Sequence, residues 1–223
     1  MRVRTIPGPE GQLEALLDDP PVVGGVNEEG LVERGLDGGL HAAVVLAHPH
    51  PQYGGTMHTK VVYQAAKALK RIGCAVLRFN FRGTGTSAGA FDEGRGEMDD
   101  FRAAVDFMRA QYPGAPIWAA GMSFGAWIAL SVGASDARVT TLLGIAPPLS
   151  RYDFETVRTS PKPKFFIQGE RDELCPLKEM QEFYARAADP KELVVIDAAD
   201  HLFDGKVLEV GDAIEDLLGD WSG

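Results

Sequence analysis

Short continuous apolar runs, rather than alternating ones, mark the middle of this chain. Residues 42–47, 74–81, 116–122, 139–146, 164–168 and 193–197 are mostly Val, Ile, Leu, Ala, Phe or Trp and are bounded by Gly, Pro or charged positions. Such runs are expected of strands covered on both faces. Between them the spacing changes to three and four. Val61, Val62, Ala65, Leu69 and Ile72 share one stripe and stop at Gly73, and Met98, Phe101, Val105 and Met108 share another. Leu177, Met180, Tyr184 and Ala187 end before Pro190, and Val207, Val210, Gly211, Ile214 and Leu217 close the chain. These predict amphipathic helices. Asp99 and Asp100 in the first turn of the second, with Arg109 near its last, suit the helix dipole.

The ends of the pattern differ. Two short runs, 3–6 and 13–17, flank Pro7, Gly8, Pro9, Glu10 and Gly11, which predicts an edge hairpin. Residues 18–40 are rich in Gly, Glu and Asp without a period, and read as a long surface loop. Residues 147–163 read as irregular or short helical chain. Strands alternating with helices predict an α/β fold with a mainly parallel sheet of about eight strands, wrapped on both faces. One domain over residues 1–223 is expected, with no internal repeat.

The run 116–122 leads into Ser123 and then an apolar, Ala-rich helix. Gly121, Ser123 and Gly125 spell G-x-S-x-G, which lifts a serine hydroxyl onto a tight strand-to-helix turn. The two glycines let strand and helix approach closely, and Ser123 falls at a helix N-terminus that favours developing negative charge. In open parallel sheets ligands bind beyond the carboxyl ends of strands, so the partners of Ser123 should follow other strands. After 164–168 come Glu170, Asp172 and Glu173; after 193–197 come Asp200 and His201. A serine hydroxyl needs a base, and the imidazolium so formed needs an anion. His201 is preferred over His41, which precedes its strand, and over His48, His50 and His58 near the first central helix. Asp172 is preferred over Glu170, Glu173, Asp153 and Asp200; Asp200 adjoins His201 in sequence and is badly placed to face it.

An acyl-transfer reaction also needs donors for an oxyanion. The amide of Phe124 is one; because Pro49 and Pro51 have no N–H, His50 supplies the other. Tyr53, Met122 and Leu202 are apolar positions expected to bind substrate. Neither His48, His50 and His58 as a metal set nor Gly83 and Gly85 as a phosphate cradle is complete, so no metal and no cofactor is expected. Arg82 reads as a buried strut.

Charge narrows the partners. The net charge is −10, with 32 acidic against 22 basic residues, which disfavours nucleic acid and anionic membrane. It also disfavours a strongly anionic substrate unless a basic pocket overrides the average. Residues 1–7 contain no apolar signal region, and no run approaches the roughly 18 residues of a membrane span. Cys74 and Cys175 are expected as free buried thiols in a reducing cytoplasm.

Taken together these stretches resemble the α/β-hydrolase superfamily, and within it the small bacterial predicted serine hydrolases of the dienelactone-hydrolase-like kind. The resemblance rests on His48-Pro49-His50-Pro51 with Tyr53-Gly54-Gly55-Thr56-Met57, on Phe79-Asn80-Phe81-Arg82-Gly83, on the serine turn, on Gly169-Glu170-x-Asp172 and on Asp200-His201. It implies a triad of Ser123, Asp172 and His201 without a cofactor. Members with dienelactone activity generally use cysteine, and Ser123 departs from that. The connection 147–163 is too short for a large cap domain. The expectation is a cytoplasmic esterase acting on a small-molecule ester of small or medium acyl length. An acyltransferase, thioesterase or peptidase with the same triad is the alternative, or a non-catalytic binding protein of this fold. A homo-oligomer stays open, since a partner subunit could help to cover the site.

Overall fold

The computed structural model describes residues 2–20 and 40–221. Most of the loop expected over 18–40 therefore lies outside the described residues. The hairpin at the start is β1 (Arg2–Gly8) and β2 (Gly11–Asp18), turning at Pro9 and Glu10. Six further strands follow: β3 (Ala43–Ala47), β4 (Ala75–Phe79), β5 (Ile117–Met122), β6 (Val139–Ile145), β7 (Lys164–Gly169) and β8 (Lys191–Ile196). The helices between and after them are α1 (Lys60–Arg71), α2 (Arg95–Gln111), α3 (Phe124–Ser135), α4 (Glu155–Thr159), α5 (Leu177–Arg186) and α6 (Val207–Leu218). The sheet has eight strands in the order β1-β2-β4-β3-β5-β6-β7-β8. β2 joins β1 and β4 antiparallel, and β3 through β8 pair in parallel. The expected α/β fold is the observed one.

Parity along each strand decides which layer a side chain joins. Val45, Leu77 and Ala119 pack with Phe101, Val105, Ile128 and Met180 on the face covered by α2, α3 and α5. Their neighbours Val44, Val76 and Trp118 pack with Val62, Leu69, Ile214 and Leu218 on the face covered by α1 and α6. Both faces are dry, which is why the strands read as unbroken apolar runs. From β3 the chain steps to β4 on one side, then crosses back to β5 on the other. The loops leaving β3 and β5 therefore diverge and open a crevice between them, where ligands of such sheets bind.

Between β6 and β7, residues 146–163 hold only the five-residue α4. Among the described residues no helix is long and apolar enough to cross a membrane.

Candidate active site

At the carboxyl end of β5 the backbone must reverse within one residue. Ser123 takes it up with φ 53° and ψ −122°, a conformation that costs a non-glycine residue about 1–3 kcal/mol. The turn closes because its neighbours have no Cβ. A Cβ on Gly121 would collide with the Gly125 carbonyl, and one on Gly125 with the carbonyl of His48. The Ser123 amide donates to the Ile145 carbonyl at 2.8 Å, and its own carbonyl accepts from Ala126 at 2.8 Å, opening α3.

The structure brings His201 to this hydroxyl from the loop after β8. Its Nε2 lies 3.0 Å from Ser123 Oγ and its Nδ1 lies 2.8 Å from Asp172 Oδ2. A carboxylate only accepts, so Nδ1 carries the hydrogen and Nε2 presents its lone pair to the serine O–H. Asp172, whose side chain is fully buried, is held from every side. Its Oδ1 accepts from the Leu174 and Cys175 amides at 2.9 and 2.8 Å, and its Oδ2 also accepts from Gln168 Nε2 at 3.0 Å. All four donors are N–H groups, which suits an acceptor-only carboxylate.

Three of the rival acids are engaged elsewhere. Glu170 Oε2 accepts from the Ala198 amide at 2.8 Å and, with the Arg171 amide on the Ala199 carbonyl at 2.8 Å, ties the loop after β7 to the loop after β8. Asp200 Oδ1 accepts from the Leu202 and Asp204 amides, both at 3.0 Å, and makes the turn that follows His201. Asp153 accepts from the Glu155 amide at 2.8 Å at the start of α4.

The loop after β3 is fastened by His48. Its Nδ1–H donates to the Pro49 carbonyl at 2.6 Å, and its Nε2 accepts from the Phe81 amide at 3.1 Å. Burial pushes this imidazole down to about 4, with the nearby His50 adding to the effect and the Pro49 hydrogen bond opposing it. It is thus a neutral strut joining the ends of β3 and β4. Next to it, His50 lays its ring 4.8 Å from that of Phe124, centroid to centroid. Among the described residues, neither the His50 amide nor the Phe124 amide donates to an acceptor. Arg82 is the buried strut expected of it: Nη2 meets Asp100 Oδ1 and Nη1 meets Glu10 Oε1, both at 2.8 Å. The glycine-rich loop wraps around it, with Gly83, Gly85 and Gly89 all at positive φ.

A cavity of about 420 Å³ opens over Ser123 and His201. His50, Tyr53 and Phe124 form one side of it. A second group of lining residues comes from Pro148, Arg151 and Tyr152 in the β6–β7 connection and from Leu174 and Cys175 beyond β7. Sequence reasoning missed this second group. Of the three positions expected to bind substrate, Tyr53 lines the cavity. Leu202 is exposed without lining it. Met122 is a correction: it is fully buried against the α1 and α6 layer, because it shares strand parity with Trp118 and Ala120. That parity was available in the sequence.

Asp172, Cys175 and His201 offer ligand atoms within 4.8 Å of one another. The carboxylate and imidazole atoms of this set are already bonded, and burial raises the Cys175 thiol far above its ordinary value, so it is not a ready thiolate ligand.

A family model described as serine aminopeptidase, S33, matches residues 39–157, a span that includes the serine turn. An α/β serine hydrolase homologue from Coxiella burnetii superposes with a TM-score of 0.85 at 34% identity, covering 97% of both chains. A member of the α/β serine hydrolases without lid, from Xanthomonas campestris, superposes with a TM-score of 0.84 at 35% identity, covering 96% of this chain and 92% of that one. An uncharacterized protein of Rickettsia prowazekii is 36% identical over 220 residues, 95% of this chain and 86% of its own. With the serine turn inside the matched span and the fold shared end to end, the chain belongs to the S33 serine aminopeptidase family of α/β serine hydrolases.

Proposed function

We propose that this serine hydrolase cleaves carboxylic esters of small or medium acyl length through an acyl-enzyme on Ser123. The observation that carries the reading is the imidazole of His201 standing between Ser123 Oγ and Asp172 Oδ2, at 3.0 and 2.8 Å. Ser123 Oγ attacks the ester carbonyl carbon as its proton passes to His201 Nε2. Asp172 accepts from Nδ1–H throughout and offsets the charge of the imidazolium. The carbonyl oxygen, now an oxyanion, is met by the Phe124 and His50 amides, whose hydrogens have no other acceptor among the described residues. Collapse expels the alcohol with the proton from Nε2. Water then attacks the acyl-enzyme, gives a proton to the same nitrogen, and the acid leaves as Oγ regains its hydrogen.

The family's name raises an aminopeptidase as the rival. Such an enzyme must hold the substrate's α-ammonium with an anion. Among the described residues lining the cavity there is no Asp or Glu, and the permanent charge present there is the cation Arg151. That favours esters. The two buried free thiols suit the cytoplasm as the place of action.

A fluorophosphonate probe should label Ser123, and Ser123→Ala or His201→Gln should lower ester kcat/KM by ~10³-fold or more while the fold is retained. A folded wild type that the probe leaves unlabelled would sink the reading.

A further inference from the structure

Arg151 sits at the mouth of the cavity, in the turn that follows Pro147 and Pro148, with its amide on the Pro148 carbonyl at 3.1 Å. Its guanidinium is exposed, and among the described residues it meets no carboxylate. Arg71, Arg78, Arg82, Arg95, Arg102, Arg138 and Arg158 are each paired with an Asp or Glu; Arg109, Arg171 and Arg186 are not, but of the unpaired arginines among the described residues Arg151 alone lines the cavity. Among the described residues this cation is unanswered beside the reactive serine, and none of those lining the cavity is Asp or Glu. Its field reaches into the site: after burial, it is the charge that holds the His50 imidazole below its ordinary value. Beside His50, Ser123 and His201, the remaining lining is mostly apolar and aromatic, with Tyr53, Phe124, Pro148, Tyr152 and Leu174. The cavity thus offers an uncharged body, one positive end and the reacting hydroxyl. A planar guanidinium fork matches a carboxylate in geometry as well as charge.

We propose that the substrate is an ester that also bears a free carboxylate, which Arg151 holds while Ser123 attacks the ester carbonyl. The inference rests on the esterase reading and adds a substrate class to it. Because Arg151 is exposed, part of the attraction is screened by water and salt.

The test compares monoethyl adipate with ethyl hexanoate, which have acyl chains of equal length, and adds carboxymethyl hexanoate, which carries its carboxylate on the alcohol. Wild type should favour one of the two anionic esters over the neutral one by about tenfold in kcat/KM, mainly through KM. Whichever ester is favoured tells which side of the scissile bond faces Arg151. Arg151→Ala should bring the ratio close to unity, Arg151→Glu should invert it, and raising the ionic strength should shrink the preference in wild type while leaving the Arg151→Ala ratio unchanged. The proposal is overturned if wild type shows no preference for either anionic ester, or if Arg151→Ala keeps the preference. A wild type that cleaves ethyl hexanoate and takes the fluorophosphonate label, but ignores the carboxylate, ends this inference and leaves the esterase standing. One that does neither ends both.

Discussion

One part of the site, the wall of reacting groups and their support, hangs from strand ends. Ser123 follows β5 directly, and Asp172 and His201 lie in the short turns after β7 and β8. Glu170, Gln168 and the amides of Leu174 and Cys175 fix those turns to one another. The second wall is partly irregular chain between β6 and β7, with a single short helix. Beside the cavity it is fastened by Tyr152 stacked on Trp127 of α3, with ring centroids 4.0 Å apart and planes 10° apart. Groups that must meet within a fraction of an ångström sit on the first wall, and groups that only need to accommodate a substrate sit on the second. A change to the first should strike kcat, and a change to the second KM.

The largest effect expected inside the first wall, short of removing Ser123 or His201 themselves, is that of Asp172→Asn. The amide would keep Oδ1 for the Leu174 and Cys175 N–H groups. Its NH₂ would then face both His201 Nδ1–H and Gln168 Nε2–H, donor against donor. His201 would turn its lone pair to the wrong side. We expect kcat to fall by about 10³-fold or more with only a modest change in KM. Steady-state rates on a neutral ester check this, and a variant within tenfold of wild type would remove Asp172 from its role.

His48 gives a second, smaller test of the same wall. Its value in the fold, about 4, lies below the ordinary 6.5. Between those pH values the unfolded chain binds a proton that the folded chain does not, so acid favours unfolding. The stability is whole above about pH 6.5 and is lost as pH falls toward 4, on the order of 3 kcal/mol in all. Urea unfolding at graded pH should show the slope, and the His48 ring should resist titration by NMR until close to pH 4. A midpoint near the ordinary value would mean that the loop after β3 is not pinned in this way.

The two walls were also unequally legible in the sequence. The turn at Ser123 declares itself because its glycines answer a local steric need, and Asp172 and His201 declare themselves because each follows a strand whose apolar run is unbroken. His48 was visible as a residue but not as a strut. Its role depends on the Phe81 amide, which the sheet brings alongside from β4, and no spacing encodes that. Arg151 and Tyr152 carry no motif at all. They reach the cavity because the connection folds back on α3, a tertiary event fixed by the stack on Trp127. Met122 departs from expectation for a different reason: adjacency to Ser123 along the chain suggests proximity to the site, but strand parity sends it to the other layer.

That stack supplies the smallest and most discriminating prediction. Tyr152→Leu keeps an apolar side chain at the cavity wall but removes the offset aromatic pair with Trp127, an interaction on the order of 0.5–1.5 kcal/mol. The bonds among Ser123, His201 and Asp172 come from β5, β7 and β8 and do not run through it, although the Tyr152 ring also lies 6.0 Å from that of Phe124. The connection should loosen where it carries Arg151, and KM should rise by about two- to tenfold. Meanwhile kcat for a neutral ester, measured at saturation, should stay within about twofold, because the proposed oxyanion donors are backbone amides and the base is held by Asp172. A fall in kcat with KM unchanged would show that the irregular wall helps to place the reacting groups, and the division of labour between the walls would have to be abandoned.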